Sequence, residues 1–382
     1  LSLFLPSSLL EAYSLPSNNL LPFYGEPVFE LSPQAWQKIV AILSTWHTFG
    51  RGAFQEKGRE FLVQEGFGAL PDPLEPTAIL NTFDFQGEGE DLSLIEVNTN
   101  GGGFLLGVLA SALSDPSRAE EILARGRRVF LQMIAKERER LSAGAVWIVD
   151  EDPPREFLYP EMVTFARWIA EESGDQGGAQ PLPVSNVRER LSSKEGRRNP
   201  PLLYNRFTDF YLTTPLGRSL RELWTEGAVK LSPSPIAYAL QGDKRLFLVA
   251  GSQGIPGVPE TLTLREWQER YDPSRRKEWV FKPISGFGSK GVYLGKKLSL
   301  EHYHTLDPDR YLVQRYIPPL TLNHPRYGRI KGDLRIFTYR GVPLLICLRG
   351  FRGQVMGFRE EGSGFYPVAV GNTLFVPGEA IS

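Results

Sequence analysis

Lys282 and Lys290 share one loop with Gly286, Gly288 and Gly291 in the stretch Trp279-Val-Phe-Lys-Pro-Ile-Ser-Gly-Phe-Gly-Ser-Lys-Gly-Val-Tyr293. Glycines let backbone N–H groups approach an anion closely, and the two lysines place positive charge beside them. Apolar, β-branched and aromatic residues on both sides make this strand, turn, strand. No Gly-Lys-Ser/Thr follows, so a Walker loop opening a helix is excluded. The pattern reads as a hairpin closing over a triphosphate, with Ser285, Gly286, Gly288, Ser289, Lys290 and Gly291 at its tip. Tight-turn hairpins without a ligand carry the same glycines, and that reading stays open.

A second constellation lies far upstream. Ala78 to Phe85 alternates like a strand, Gly87-Glu-Gly-Glu-Asp91 makes a turn, and Leu92-Ser-Leu-Ile-Glu-Val-Asn98 is a second strand. Residues two apart on a strand share a face, so Glu96 and Asn98 point the same way and Asp84 can pair alongside. Two carboxylates and an amide oxygen form a hard-oxygen set suited to Mg²⁺. The bland alternative is a hairpin with solvated carboxylates. The hairpin runs into Thr99-Asn-Gly-Gly-Gly103, where Asn100, Gly101 and Gly102 could crowd backbone against a reacting group.

Other chemistry is thin. The single cysteine, Cys347, lies among Leu344, Leu345, Ile346 and Leu348, which reads as a buried thiol, and one cysteine allows no internal disulfide. Of four histidines only His302 and His304 are closely spaced, and their setting reads as exposed. A formal net charge of −1 gives no electrostatic case for nucleic acid or an anionic membrane as the main partner. No run of 18 or more apolar residues spans a bilayer, and the apolar start at Leu1–Leu10 lacks a basic leader, so the expected place is the cytoplasm.

Several elements must hold these residues. At 382 residues with 41% hydrophobic content, the chain can bury more than one core. Residues 1–32 read as a surface wrap, Pro33 to Phe49 as a helix with Ser32 at its N-cap, and Gly52–Gly66 as a second helix. Ala119–Leu141 is a long amphipathic helix. Ala145–Val149 and Leu202–Tyr204 are buried-type strands around the helix Tyr159–Glu172, which suggests a small α/β layer. The charged stretch Arg188–Arg198 reads as a solvated hairpin or loop. Strands follow at Tyr311–Ile317, Lys331–Tyr339, Pro343–Leu348 and Phe365–Val370.

The Glu96-x-Asn98 hairpin, Asp243-Lys244 ahead of Gly254-Ile-Pro, the Lys282-Pro hairpin and Leu312-Val-Gln-Arg-Tyr-Ile317 together resemble the ATP-grasp superfamily, over about residues 78–104 and 240–370. In that family two α/β lobes clamp ATP between sheets, and most members are carboxylate–amine ligases. The usual order puts the Glu-x-Asn strand last, whereas here it precedes Lys282 by more than 180 residues. That order is similar to the circularly permuted branch that includes eukaryotic-type glutathione synthetases and glutathionylspermidine synthetases. The resemblance implies an α/β ATP-grasp fold with permuted motif order and a small α/β middle domain. The expected divisions are 1–142, carrying the Mg²⁺ hairpin; 143–240, the middle domain; 241–310, the lobe with the phosphate loop; and 311–382, hinge and remaining large lobe. The first hundred and last seventy residues are then expected in one lobe.

The same resemblance implies roles. Lys244 and Lys282 contact the α/β-phosphates of ATP, the Ser285–Gly291 loop covers the β/γ-phosphates, and in Gln314-Arg315-Tyr316-Ile317 the Arg315 carbonyl and Ile317 N–H meet the adenine. Asp84, Glu96 and Asn98 hold Mg²⁺. Arg335 and then Arg352 stabilise an acyl phosphate, with Asp333 as the structural partner of Arg335. Arg206 and Asp209, after the Leu202–Tyr204 strand, are substrate candidates, an interdomain salt bridge being the alternative. The implied reaction is phosphorylation of a carboxylate by Mg²⁺-ATP and attack by an amine or related nucleophile. A small-molecule phosphotransferase and a non-catalytic nucleotide binder are the competing readings.

Overall fold

The central hairpin forms where alternation predicts it. Asn81–Glu88 and Asp91–Asn98 are antiparallel strands joined at Gly89, whose φ of 56° suits glycine. The computed structural model describes residues 7–13, 22–71, 74–174, 180–192, 199–286, 291–353, 356–358 and 360–378. In it the hairpin closes one side of an eight-stranded sheet. The order across that sheet is Phe29–Leu31, Gly364–Val370, Val342–Phe351, Gly328–Tyr339, Asn81–Glu88 and Asp91–Asn98, with Leu320–His324 and Thr373–Leu374 as side branches. Strands from near both ends of the chain thus share one sheet. Residues before Ser32 do more than wrap a surface: Phe29–Leu31 pairs in parallel with Val368–Val370, and Phe23 bridges Phe365.

The period-2 pattern divides the faces of this sheet. Phe83, Phe85, Leu334, Ile336, Ile346 and Leu348 pack into one core, beneath helices Pro33–Gly50 and Phe54–Gln64. Ser32 caps the first of these by accepting from the Ala35 N–H at 3.1 Å, with Pro33 at the first turn. On the opposite face Phe337, Leu345, Cys347 and Phe365 meet helix Phe104–Ser114, with helices Ala119–Arg140 and Tyr159–Ser173 behind it. Phe104–Ser114 is apolar all round and buried through Leu113, so it carries no amphipathic period by which the sequence could announce it.

Two smaller sheets complete the framework. One is antiparallel, in the order Tyr293–Leu294, Trp279–Pro283, Tyr311–Arg315, Thr261–Thr263. Its Trp279, Phe281 and Val313 face a separate core with Trp267 and Tyr303, which turns Val280, Lys282, Leu312 and Gln314 to the other side. The second sheet is parallel, in the order Leu182–Pro183, Val146–Asp150, Leu202–Asn205, Lys230–Ser232. The charged stretch at 188–198 begins inside helix Val187–Leu191, where Arg188 pairs with Glu222, so its start is not the hairpin or loop expected; residues 193–198 lie outside the described residues. Among the described residues no helix is long and apolar enough to cross a membrane.

Candidate active site

Four charged side chains lie on one face of three adjacent strands. Asp84 is opposite Arg335 in the register of the large sheet, and Asp333 is opposite Arg349. Asp84 is fully buried and accepts from Arg335 Nε at 2.8 Å and Nη2 at 2.7 Å, and from Arg349 Nη2 at 2.8 Å. Arg349 also donates to both Asp333 oxygens, at 2.7 and 2.9 Å. Burial pushes the Asp84 carboxyl up, but the Arg335 and Arg349 charges outweigh it and hold it below the ordinary carboxylate range. Asp333, buried, held by Arg349 alone and facing the Asp84 charge, is pushed up instead. Asp333 therefore partners Arg349, not Arg335 as the sequence reading supposed.

Glu96 and Asn98 continue this face on the neighbouring strand. Glu96 is opposite Asp84, and the Asn98 amide nitrogen lies 3.5 Å from Asp84 Oδ2. A carboxylate only accepts, so the amide nitrogen faces Asp84 and the amide oxygen is turned away from it. Between Asp84 and Phe85 the pairing slips by one residue and leaves Ile95 bulged out of the ladder. Its carbonyl accepts from Lys282 Nζ at 2.9 Å, which bridges the large sheet to the small antiparallel one.

Lys282 also donates to Gln314 Oε1 at 2.7 Å, and Gln314 Nε2 donates to Thr261 Oγ1 at 3.2 Å. The residue is half-buried along its stem while its ammonium group is enclosed by protein. That burial, with Lys244 adding to it and Glu96 opposing, lowers its pKa to about 8. Lys282, Gln314, Thr261 and Leu312 form one wall of a cleft, and Ile95, Glu96, Lys244 and Phe247 form the other. Lys244 Nζ donates to the Gly286 carbonyl at 2.6 Å, so the first glycine of the Gly-rich loop is tied to the second lysine. The end of strand Tyr311–Arg315 is fixed by its neighbours: the Arg315 N–H donates to the Glu260 carbonyl and the Tyr316 N–H to that of Glu278. The Arg315 side chain pairs with Glu278 at 2.8 Å, outside the cleft wall. Ile317 follows, half-buried. Ser285 is exposed, Gly291 lies in a turn two residues before the return strand Tyr293–Leu294, and Gly288, Ser289 and Lys290 lie outside the described residues.

Beyond Asn98 the chain turns through Asn100–Gly103. A β-carbon on Gly101 would meet Thr82 at 2.1 Å, one on Gly102 would meet Leu158 at 2.3 Å, and one on Gly103 would meet the Phe365 ring at 2.3 Å. Here the glycines make room for the protein's own side chains, not for a reacting group. The turn is held from both sides: Arg335 Nη1 donates to the Gly102 carbonyl at 3.0 Å, and Arg206 Nη1 donates to those of Asn100 and Gly101 at 2.7 and 2.8 Å. Glu161, buried, accepts from the Gly103 and Leu105 N–H groups at the start of helix Phe104–Ser114, at 3.0 and 2.9 Å.

Arg206 therefore stands at the site edge with its Nη1 bonded to backbone carbonyls and its Nε buried without a hydrogen-bond partner among the described residues. Asp209 lies apart from it, capping a turn by accepting from the N–H and hydroxyl groups of Thr213 and Thr214. Arg352 is exposed beyond the strand end, its side chain reaching the Glu361 carbonyl at 3.5 Å. The buried guanidinium beside Arg335 belongs to Arg349, three residues earlier. Strand parity alone would have missed it: a turn at Arg340-Gly341 pairs Tyr339 with Val342 and would set Leu348 opposite Asp333, but a bulge beside Phe337 and Thr338 shifts the register by one residue and brings Arg349 there. Asp150, at the end of a central parallel strand, was also passed over; burial raises its carboxyl to about 6.

The donor set fits a divalent cation in part. Mg²⁺ takes one or two protein oxygens and completes its shell with waters and phosphate oxygens, which the Glu96 carboxylate and the Asn98 amide oxygen can satisfy. Asp84 does not fit: it is sealed from solvent and both of its oxygens are engaged by guanidinium groups.

No family model and no curated protein matches the chain. Solved structures do. The chain is similar to a glutathione synthetase-like effector from Globodera pallida in apo form, with a TM-score of 0.58 and 14% identity over 95% of this chain and 96% of that one. A putative gamma-glutamylcysteine synthetase from Methylobacillus flagellatus KT gives a TM-score of 0.38 and 11% identity over 88% and 87% of the two chains, a likeness too loose to argue from. The fold is α/β of the glutathione synthetase-like, ATP-grasp type.

Proposed function

We propose that this chain is an ATP- and Mg²⁺-dependent ligase that joins a small-molecule carboxylate to an amine or related nucleophile through an acyl phosphate. The observation that carries the reading is the cleft between the two sheets. One wall presents Lys282 and Gln314, the other Glu96 and Lys244, and the Arg335–Arg349 pair lies on the same sheet face as Glu96. A nucleotide there has ammonium groups for its phosphates, and a carboxylate beside the arginines has planar donors for its oxygens. Glu96 and Asn98 would hold Mg²⁺, which when bound neutralises phosphate charge. Lys244 and Lys282 bind the phosphates, Gly286 and the loop after it cover them, and the hinge at Gln314–Ile317 receives the base.

Asp84 acts on the arginines, not on the cation: it fixes the angle of Arg335 and, with Asp333, that of Arg349. Catalysis on this reading is positioning and charge stabilisation, with no nucleophile supplied by the protein. Cys347 suits that reading, since burial pushes its thiol far above the ordinary range. The motif order is that of a circularly permuted ATP-grasp chain, supported by the strands from near both termini that share one sheet. Asn100, Gly101, Gly102 and Arg206 border the substrate side.

The test is ATP turnover with Mg²⁺ against pools of carboxylic acids and amines, including amino acids and short peptides, with mass analysis of adducts. Stoichiometric ADP with a new amide is expected. A stable phosphorylated product would make the protein a phosphotransferase, and no turnover with any pool would leave it a nucleotide binder.

A further inference from the structure

Lys244 is held by an apparatus that the nucleotide reading does not require. It stands between Asp243 and Arg245, directly after a π-helical turn at Tyr238–Gly242, a form of helix frequent at functional sites. Asp243 is buried and accepts from the Arg245 N–H at 2.8 Å, from Arg245 Nε at 3.0 Å and Nη2 at 2.7 Å, and from the Tyr211 hydroxyl at 2.6 Å. The Arg245 guanidinium also lies 3.8 Å from the Phe61 ring centroid and donates to Gln64 Oε1 at 2.9 Å, which fixes it on helix Phe54–Gln64. Both neighbours of Lys244 are therefore immobilised, and its ammonium group is left aimed at the Gly286 carbonyl.

Tyr211 arrives from the parallel sheet. It belongs to the segment that leaves strand Leu202–Asn205 with Arg206 and ends on Phe210 and Tyr211. Phe210 stacks on Tyr238 at 4.3 Å and 10°, and Tyr211 meets the same ring edge-on at 5.1 Å. At the other end of the segment Arg206 grips the Asn100 and Gly101 carbonyls, next to the Gly102 carbonyl held by Arg335. One six-residue segment thus touches the arginine side of the site and the lysine side, and Asp209 stiffens the turn that follows it.

We propose that residues 206–211 are a positioning strut: through Tyr211 and Asp243 it aims Lys244 at the nucleotide phosphates, and through Arg206 it ties that aim to the turn beside Arg335. The strut rests on the nucleotide reading above. Tyr211 touches no substrate and acts only through Lys244.

The test is calorimetric titration of the full chain with Mg²⁺-ATP and, separately, with adenosine, which lacks phosphates. Four proteins are compared: wild type, Tyr211→Phe, Lys244→Ala and the double variant. Tyr211→Phe is expected to bind ATP about five- to tenfold more weakly, the scale of one ordinary hydrogen bond felt indirectly through Lys244, and adenosine unchanged. In the Lys244→Ala background the same substitution is expected to cost nothing more. Equal losses on ATP and adenosine would mark a general packing effect and overturn the proposal. So would additivity in the double variant, or a Tyr211→Phe protein that binds ATP like wild type. A wild type that takes up no ATP overturns the nucleotide reading itself, and the strut with it.

Discussion

Asp84 is the point at which two guanidinium groups converge, and removing its carboxylate leaves both buried beside a single remaining acid, Asp333. Breaking a buried pair in this way costs about 3–5 kcal/mol, so Asp84→Ala is expected to lower the unfolding free energy measured by chemical denaturation by that amount. Because the folded-state pKa of Asp84 lies below its ordinary value, its contribution is complete at neutral pH. It is lost as pH falls through the folded value, and a fall of stability in acid that vanishes in Asp84→Ala is the signature. Lys282 has the opposite linkage. Its pKa is lowered to about 8 in the folded chain, so below that pH the fold bears the full cost of burying a charge. Between pH 8 and roughly 10.5 the unfolded chain binds the extra proton, and stability relative to Lys282→Met is expected to rise by up to about 3 kcal/mol. Thermal melts of the two proteins across that range check the sign; a flat difference contradicts it.

The Asn100–Gly103 turn shows what an element adds to residues. The sequence marks it as unusual because three glycines follow one another, but not what crowds them: Thr82, Leu158 and Phe365 come from segments far apart in the chain. Gly103 has a φ of 93°, in the left-handed region, and a β-carbon would strike the Phe365 ring. Gly103→Ala is therefore expected to destabilise by about 2–4 kcal/mol, backbone strain adding to overpacking, and chemical denaturation measures it. Loss of that turn would also release the carbonyls that hold Arg206 and Arg335. Strands and amphipathic helices were legible because their apolar residues recur at period 2 or 3.6, as in Trp279–Pro283 and Ala119–Arg140. Helix Phe104–Ser114 and the parallel edge strand Phe29–Leu31 were not: one is apolar on every side and the other is three residues long.

Across the whole molecule the large sheet gathers both ends of the chain, and the small antiparallel sheet meets it through Lys282 and the Ile95 carbonyl. The set Asp84, Glu96 and Asn98 was visible in sequence because strand parity puts Glu96 and Asn98 on one face of a hairpin with Asp84 alongside, whereas Arg335 was reached only through the ATP-grasp resemblance. The division of labour within it was not. Which carboxylate meets a guanidinium and which faces the cleft depends on strand register, and register across 251 residues between Asp84 and Arg335 is a tertiary fact. Arg349 was missed in favour of Arg352 for the same reason. With Glu96 and Asn98 as the cation ligands, Glu96→Ala is expected to abolish the Mg²⁺ dependence of ATP binding while leaving the melting temperature nearly unchanged, since Glu96 joins no buried pair among the described residues.

The cleft between the sheets is proposed to be a nucleotide site centred on Lys282. Isothermal titration of wild type and Lys282→Met with Mg²⁺-ATP tests it most directly. Saturable binding by wild type and at least a tenfold loss in the variant are expected, on the scale of a charge-assisted contact. Undiminished ATP binding by a folded Lys282→Met protein, or no binding by wild type, would contradict it.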